Sequence, residues 1–515
     1  MSGQPAGSPL SAISAPAELA GPASRRLPKI LDGVAMGFLF LFALVQPLSI
    51  AATHISYAGA ALAWLARLVV VRRRGLCSSP LDLPILIYLV LSALSALQSP
   101  LPVSSWEGFR KVALVCVVLV VAQNVRTLDR ARQLVSVLLL SGLVTVAWTL
   151  WMYAGGVGLH VLGPGPDPAW FRAGLRKGDV ILRVDGRRLT TPQQFLAHLR
   201  AKPPTETLEL AAVPVDGIEV SRNARPVRVP PGEWLPAASI DQLESSIEAA
   251  RPARAFGFYS HYVTYSMVLA LLASLVFGLW LSVRRRFSAK GLTLAGAFLL
   301  FTLALGMTLT RAAWLALALG CAVQVWFHIR HWAVRLLLPA ALVLAVLATS
   351  AAMHRWRGTG LIDLRDPGTD FRVLMWSDGL RLMGENPWFG VGMNSVRDAW
   401  WRFDLAAYRK YPLRSHFHST PIQLGVEMGI PALVSWIAFM ASYWLLLVRL
   451  VARAREQQDW SAYGLALGIL GGASGFLASS LVHYDFGDSV VVFLFWFLAG
   501  IALAVRQHLA RQPVG

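Results

Sequence analysis

The sequence is poor in cysteine, in acidic residues and in charge of either sign. Its three cysteines, Cys77, Cys116 and Cys321, are scattered between a short loop and apolar runs, a pattern that implies neither a disulfide framework nor a cysteine metal site. HExxH is absent, no acidic pair stands at close spacing beside an apolar run, and no Cys/His cluster has metal-ligand spacing; the sequence therefore offers no metal centre. Charged residues make up only 15% of the 515 positions and hydrophobic ones 56%, with a mean hydropathy of +0.54. That is too apolar for one aqueous domain.

What the chain has instead is a series of apolar runs. Those that read as bilayer-crossing helices, which need roughly 17 to 25 residues, fall near 33–50, 53–71, 83–98, 111–124, 133–154, 261–282, 291–309, 312–329, 334–352, 431–449, 461–481 and 489–505. The expected fold class is mainly α, a polytopic helical membrane protein with about twelve transmembrane helices. The net charge of +19 sits in clusters at span ends: Arg25, Arg26 and Lys29; Arg72 to Arg74; Arg126, Arg130 and Arg132; Arg284 to Arg286; Arg330 and Arg335; Arg449, Arg453 and Arg455; Arg506. If the spans alternate, every cluster falls on one side, and the positive-inside rule puts both termini in the cytoplasm. The charge is then topological, and no nucleic-acid partner is expected. The first 28 residues, rich in Ser, Ala, Pro and Gly, read as a disordered tail ahead of an uncleaved signal anchor.

This topology divides the chain into a tail (1–29), helices 1–5 (30–155), an outer insert with its linker (156–253), helices 6–9 (254–352), a second outer segment (353–430), and helices 10–12 with a cytoplasmic tail (431–515). In the insert, Val180 to Val184 alternate and run into Asp185-Gly186, which reads as a strand and tight turn. Ala173 to Asp179, this strand and a helix over Pro192–Leu199 together resemble a PDZ domain. The strand and carboxylate-binding loop usual at its front are missing, because a span occupies that place. Capture of a protein partner by strand addition would need Val213–Val229 to supply the strand; a packing or spacing module is the other reading.

The second outer segment carries Arg355, Arg357, Arg365, Arg372, Arg381, Arg397, Arg402, Arg409, Lys410 and Arg414, against the positive-inside bias. Nine arginines to one lysine suits bidentate contacts to phosphate, unless acids such as Asp363, Asp366, Asp370 and Asp404 pair with them. Trp356, Trp376, Trp388, Trp400 and Trp401 read as an interfacial belt or as platforms for sugar rings. His418 at the start of the tenth run has two readings, a helix cap or a proton acceptor with an ordinary pKa of about 6.5. Gly425 and Gly429 beyond it allow close helix approach.

Arg372 to Trp376, followed by Asn386-Pro387-Trp388-Phe389-Gly390-Val391-Gly392, resembles the arginine, tryptophan and N-P-x-x-G-x-G signature of the O-antigen ligase and polymerase superfamily. His418-Ser419, nine residues and then Gly429 is similar to its histidine motif, and Thr308 to Arg311 to its serine-arginine element. The resemblance covers nearly all of the chain except the insert. It implies a GT-C-like glycosyltransferase of the inner membrane, which moves a glycan from a polyprenyl pyrophosphate donor to lipid A-core or another acceptor on the periplasmic side. Such an enzyme works among membrane lipids and needs no cofactor, nucleotide sugar or metal. His418 is then the general base or orients the acceptor hydroxyl, with Arg311, Arg254 and Arg372 on phosphate. Trp376, Asn386, Pro387, Gly390, Gly392, Ser419 and Gly429 are motif positions. His416 falls outside the motif. Glu427 lies nine residues along, roughly 13 Å if helical, and is expected to position its helix.

Two other classes compete. Gly472 to Gly475 resembles the rhomboid serine motif, yet Ser474 and His483 on one helix stand roughly 13 Å apart, beyond hydrogen-bond reach. A transporter would suit the span count, but no acidic residue sits convincingly mid-span and the halves show no repeat.

Overall fold

The structure, a computed structural model, describes residues 22–71, 78–162, 172–214, 224–233, 246–252, 254–333, 367–411 and 415–512, with isolated positions between 335 and 355. The apolar runs form helices. Before the insert come α1 (Pro22–Val45), α2 (Ile50–Val71), α3 (Asp82–Gln98), α4 (Pro102–Val112), α5 (Val117–Asn124) and α6 (Leu128–Gly155). The insert contributes α7 (Pro192–Ala201), and α8 (Tyr262–Leu281), α9 (Ala289–Met307) and α10 (Arg311–His328) follow it. The second outer segment holds α11 (Pro367–Glu385), α12 (Ser395–Asp398) and α13 (Ala406–Lys410), ahead of α14 (Thr420–Glu456), α15 (Trp460–Ser479) and α16 (Ser489–Arg511).

Among the described residues, eight helices are long and apolar enough to cross a membrane: α1, α2, α6, α8, α9, α14, α15 and α16. The chain is a polytopic helical membrane protein. The remaining expected spans differ for local reasons. α3 is apolar but has 17 residues, and the run near 312–329 is the 18-residue α10. The run near 111–124 is broken by a 3₁₀ turn at Ala113–Cys116, where the charged α4 gives way to α5. The run near 334–352 lies outside the described residues except for isolated positions, as do Arg357, Arg365, Arg414, Asp363, Asp366, Trp356 and Cys77.

Small residues set the centre of the bundle. A side chain at Gly468 would meet the Leu275 carbonyl oxygen at 2.6 Å, and one at Gly475 would collide with the Ala316 carbonyl oxygen. α15 therefore approaches α8 and α10 backbone to backbone, as small residues permit in lipid. Among the described residues, basic side chains gather at one end of the bundle: Arg455 bonds the Phe327 and His328 carbonyls at 2.9 and 3.0 Å, Arg511 the Arg126 carbonyl at 3.0 Å, and Arg67 pairs with Asp32.

The insert is a five-stranded antiparallel sheet of order β4-β3-β2-β1-β5, made by β1 (Gly158–Val161), β2 (Asp179–Val184), β3 (Leu208–Pro214), β4 (Arg225–Val229) and β5 (Ile247–Ala250). The expected strand, turn and helix are present, the turn being closed by mutual bonds between Val184 and Arg187. One face covers Phe195 and Leu199 of α7. The other, with Val157, Val180, Val213 and Ala250, rests on Trp148 and Met152 of α6 and on Phe256. The described part of the second outer segment is largely helical around a small core of Phe371, Met375, Leu382, Val396 and Phe417.

Candidate active site

At the end of the bundle away from the basic clusters, the first turns of α8, α14 and α16 border a cavity of about 760 Å³. Its wall comprises Lys111 from α4, His261 to Thr264, Arg372 from α11, Asn394 and Arg397 beside α12, Ser415 to His418, Gln423 and Glu427 from α14, and His483, Tyr484, Asp485 and Asp488. Three helix N-termini carry partial positive charge toward this space. Their polar residues lock the rim. Asp488 caps α16 through the Val490 N–H (3.0 Å) and accepts the Thr264 hydroxyl of α8, while His261 Nδ1 accepts the Val263 N–H at 3.2 Å.

His418 stands in the left-handed region at φ 50°, which a non-glycine residue holds only when its surroundings impose it. Those surroundings are visible. The Phe417 N–H donates to Gln423 Oε1 at 2.8 Å, the His418 N–H to His416 Nδ1 at 3.1 Å, and Phe371 meets the His418 ring edge-on with centroids 5.8 Å apart. Just beyond, the Thr420 N–H donates to the Ser480 carbonyl (2.7 Å) and the Thr420 hydroxyl to that of His483 (3.0 Å). The His418 Nε2 atom lies 3.1 Å from Ser415 Oγ, and the His416 and His418 rings are 4.3 Å apart. Burial, followed by the charges of His416, Arg372 and His483, pushes the His418 imidazole down to about 2. Burial and Arg372 take His416 to about 4 and His483 to about 3. The neutral form of all three rings is thus favoured near neutral pH, with the His416 Nδ1 lone pair already taken by the His418 N–H. Burial raises the Asp485 carboxyl to about 7.

The N-P-x-x-G-x-G stretch reaches the cavity indirectly. α14 is interrupted at Gly429 (φ 84°, ψ 169°), with Pro431 after the break. The backbone groups freed there pair with the motif: the Val391 N–H donates to the Val426 carbonyl at 2.8 Å, the Gly392 N–H to that of Glu427 at 3.0 Å, and the Ile430 N–H to that of Pro387 at 2.7 Å. A side chain at Gly390 would lie 2.5 Å from the Glu427 carbonyl carbon, and one at Gly429 would collide with the Trp388 oxygen. Both positions therefore demand glycine. Asn386 ends α11, its side chain donating to the Leu382 carbonyl at 3.2 Å. Gly425 behaves as a packing glycine, against Met383 of α11.

The candidate arginines separate. Arg372 lines the cavity. Arg254 lies over the ring of Tyr262, 4.3 Å from its centroid, and Tyr262 is a wall residue. Arg311 opens α10 and is not among the lining residues, although the Arg254 segment is tied to the preceding turn by the Ala255 N–H to the Met307 carbonyl (2.9 Å). Ser419 is the buried residue preceding α14, and Trp376 lies on α11 outside the wall. Much of the basic surplus is paired: Arg381 with Glu385 at 2.9 Å, Arg397 with Asp398 at 2.7 Å, Arg409 with Asp404 at 3.4 Å and Lys410 with Asp370 at 2.8 Å.

Sequence reasoning missed Lys111, His261, Asp485 and Asp488, named Arg397 only as one of the outer basic residues, set aside His416 and His483, and assigned Glu427 to its helix. All line the cavity. The signal was their position: most stand at or just outside the outer end of a run. Ser474 is instead held by the Trp444 indole N–H at 2.9 Å and itself bonds the Leu470 carbonyl at 2.8 Å.

Residues 295–437 match the family described as O-Antigen ligase. The match holds Arg311, Arg372, the N-P-x-x-G-x-G loop, His418 and Gly429, whereas Lys111, His261, His483, Asp485 and Asp488 reach the same cavity from outside it. No curated protein matches the chain. The chain is therefore a multi-pass membrane protein that carries, over residues 295–437, a region matching the O-antigen ligase family.

Proposed function

We propose that this cavity transfers a glycan from a polyprenyl pyrophosphate carrier to a hydroxyl of lipid A-core, on the periplasmic side of the bacterial inner membrane, with both termini cytoplasmic. The observation that carries the reading is one cavity holding a neutral, strained His418 beside Arg372 and three helix N-termini. The acceptor oxygen attacks the anomeric carbon, the bond from that carbon to the pyrophosphate oxygen breaks, and the hydroxyl proton passes to His418. The leaving pyrophosphate keeps the electron pair and is stabilised by Arg372 and the helix dipoles. Arg254 and Arg311 bind the donor from the rim side.

Burial makes His418 a weak base, and the neighbouring charges, Arg372 among them, add to the effect. A bound pyrophosphate offsets positive charge in the cavity and raises the proton affinity of the imidazole. The β module is read as PDZ-like from its strand, turn and helix. Its edge strand β4 offers backbone groups to a protein partner by strand addition.

The test is the surface glycolipid profile of the source bacterium lacking this gene. Bare core together with full-length carrier-linked glycan supports ligation. Core bearing a single repeat unit assigns the enzyme to polymerisation, and an unchanged core with unglycosylated protein assigns it to protein O-glycosylation.

A further inference from the structure

Glu427 stands between the two loops that flank the cavity. It is 3% exposed, and its Oε1 accepts the Asn394 N–H at 2.8 Å. Its second partner is the Gln423 side chain, and Lys111 and Arg397 are the cations that act on it. Gln423 is 4% exposed and commits its own oxygen to the Phe417 N–H at 2.8 Å. An amide whose oxygen is occupied in this way meets a carboxylate through its N–H₂ group. The hydrogen bonds therefore run in one direction, from the Phe417 N–H to Gln423 and from Gln423 to Glu427, with Asn394 donating from the other side.

Both ends of this chain are strained. Asn394 at φ 59° and His418 at φ 50° are non-glycine residues in the left-handed region, and such residues persist only where neighbouring bonds over-determine them. The Phe417 N–H belongs to the peptide joining His416 to Phe417, so its bond to Gln423 holds the backbone immediately ahead of His418. On the opposite side, Asn394 leads directly into α12, which carries Arg397. The Glu427 carbonyl is itself held by the Gly392 N–H and the Ser95 hydroxyl, both at 3.0 Å, so the carboxylate is anchored at its base.

We propose that Glu427 is a positioning residue for glycan transfer, a buried carboxylate that clamps the His418 loop, through Gln423, to the Asn394 turn across the cavity. The inference rests on the reading of His418 as the proton acceptor. Glu427 acts through other residues and need not touch donor or acceptor. Its loss therefore lowers turnover and leaves donor binding nearly unchanged.

The test uses the full-length protein in nanodiscs with a polyprenyl-pyrophosphate-linked glycan and core acceptor. Glu427→Gln places two amide N–H₂ groups against each other and is expected to lower kcat about ten- to a hundredfold, the scale of a small misplacement of a reacting group, with donor KM within about threefold. Gln423→Leu leaves Glu427 in place and is expected to lose kcat similarly. The double exchange Glu427→Gln with Gln423→Glu restores every donor to an acceptor. The amide now at position 427 accepts from Asn394 and donates to the carboxylate now at position 423, which accepts from Phe417, so most of the lost kcat should return. Wild-type kcat in Glu427→Gln, a rise confined to KM, or a folded double exchange as slow as the single variant would each overturn the proposal. Should Glu427→Gln fail to accumulate, Gln423→Leu and the double exchange decide in the same terms. His418→Ala is measured beside them: if it transfers at the wild-type rate, the reading of His418 falls, whereas an inactive His418→Ala with a normal Glu427→Gln removes only the clamp.

Discussion

The β module buries Leu159, Ile181, Phe195, Leu199, Leu210 and Val227 around a core of its own, whereas the cavity wall buries Gln423, Glu427, His483 and Asp485. The module's core residues come from one contiguous stretch, and its ends meet where Gly158 pairs with Ala250. The cavity draws on chain segments from Lys111 to Val491. Apolar burial is non-directional and tolerates substitution. A buried polar group needs its particular partner, and here that partner sits on a different helix. The difference implies that the module is separable and the cavity is not.

The largest test of that contrast is His418→Ala, which should lower transfer from a purified lipid-linked donor by about 10²–10⁴-fold, the range for losing a general base, at normal abundance. Arg372→Ala should cost roughly a hundredfold, and more than Arg311→Ala, whose defect should show mainly in donor KM because Arg311 lies outside the wall. A third test is the pH dependence of kcat/KM, which reports the free enzyme. A histidine with an ordinary pKa of about 6.5 would cost about 30-fold between pH 8 and pH 5; with His418 held at about 2 in the empty cavity, the profile should show no such acid limb.

Excising the module and joining Val157 to Arg251 should lower kcat less than about tenfold, because none of its strands lines the cavity. A larger loss would mean that the contacts of Trp148 and Phe256 with the sheet hold the Arg254–His261 segment in place. The smallest effect is expected at Asp485. Its folded carboxyl is raised from an ordinary 3.8 to about 7, so its stabilisation is complete below the ordinary value, declines as pH rises and is lost above about 7. Asp485→Asn should therefore melt a few degrees above wild type at pH 8, with the difference shrinking steadily as pH falls toward the ordinary value.

Much of this was legible in the chain, and the gaps have a physical pattern. The helices followed from apolar run length, and the turn at Asp185-Gly186 from its local chemistry. His418 and Arg372 were found through motif resemblance. The Gly390, Gly392 and Gly429 positions were seen as motif letters, but their purpose, backbone pairing across a broken helix, was not. Glu427 was expected only to position its helix, because distance was reckoned along one helix; its place in the cavity wall and its bond to Asn394 were not foreseen. The loop before α14 folds back, and Gln423 brings the carboxylate into register with Phe417.

The sequence by itself determined that the chain is a polytopic helical membrane protein and that the insert holds a strand, turn and helix, because length, periodicity and turn chemistry are local properties. Only the tertiary structure decided that Lys111, His261, His483 and Asp485 share a cavity with His418 and Arg372, that Arg311 stands outside its wall, and that burial disfavours the charged form of the His418 imidazole. Those outcomes depend on which span ends meet and on how far burial and neighbouring charge penalise ionisation, and neither is written in the order of the residues alone.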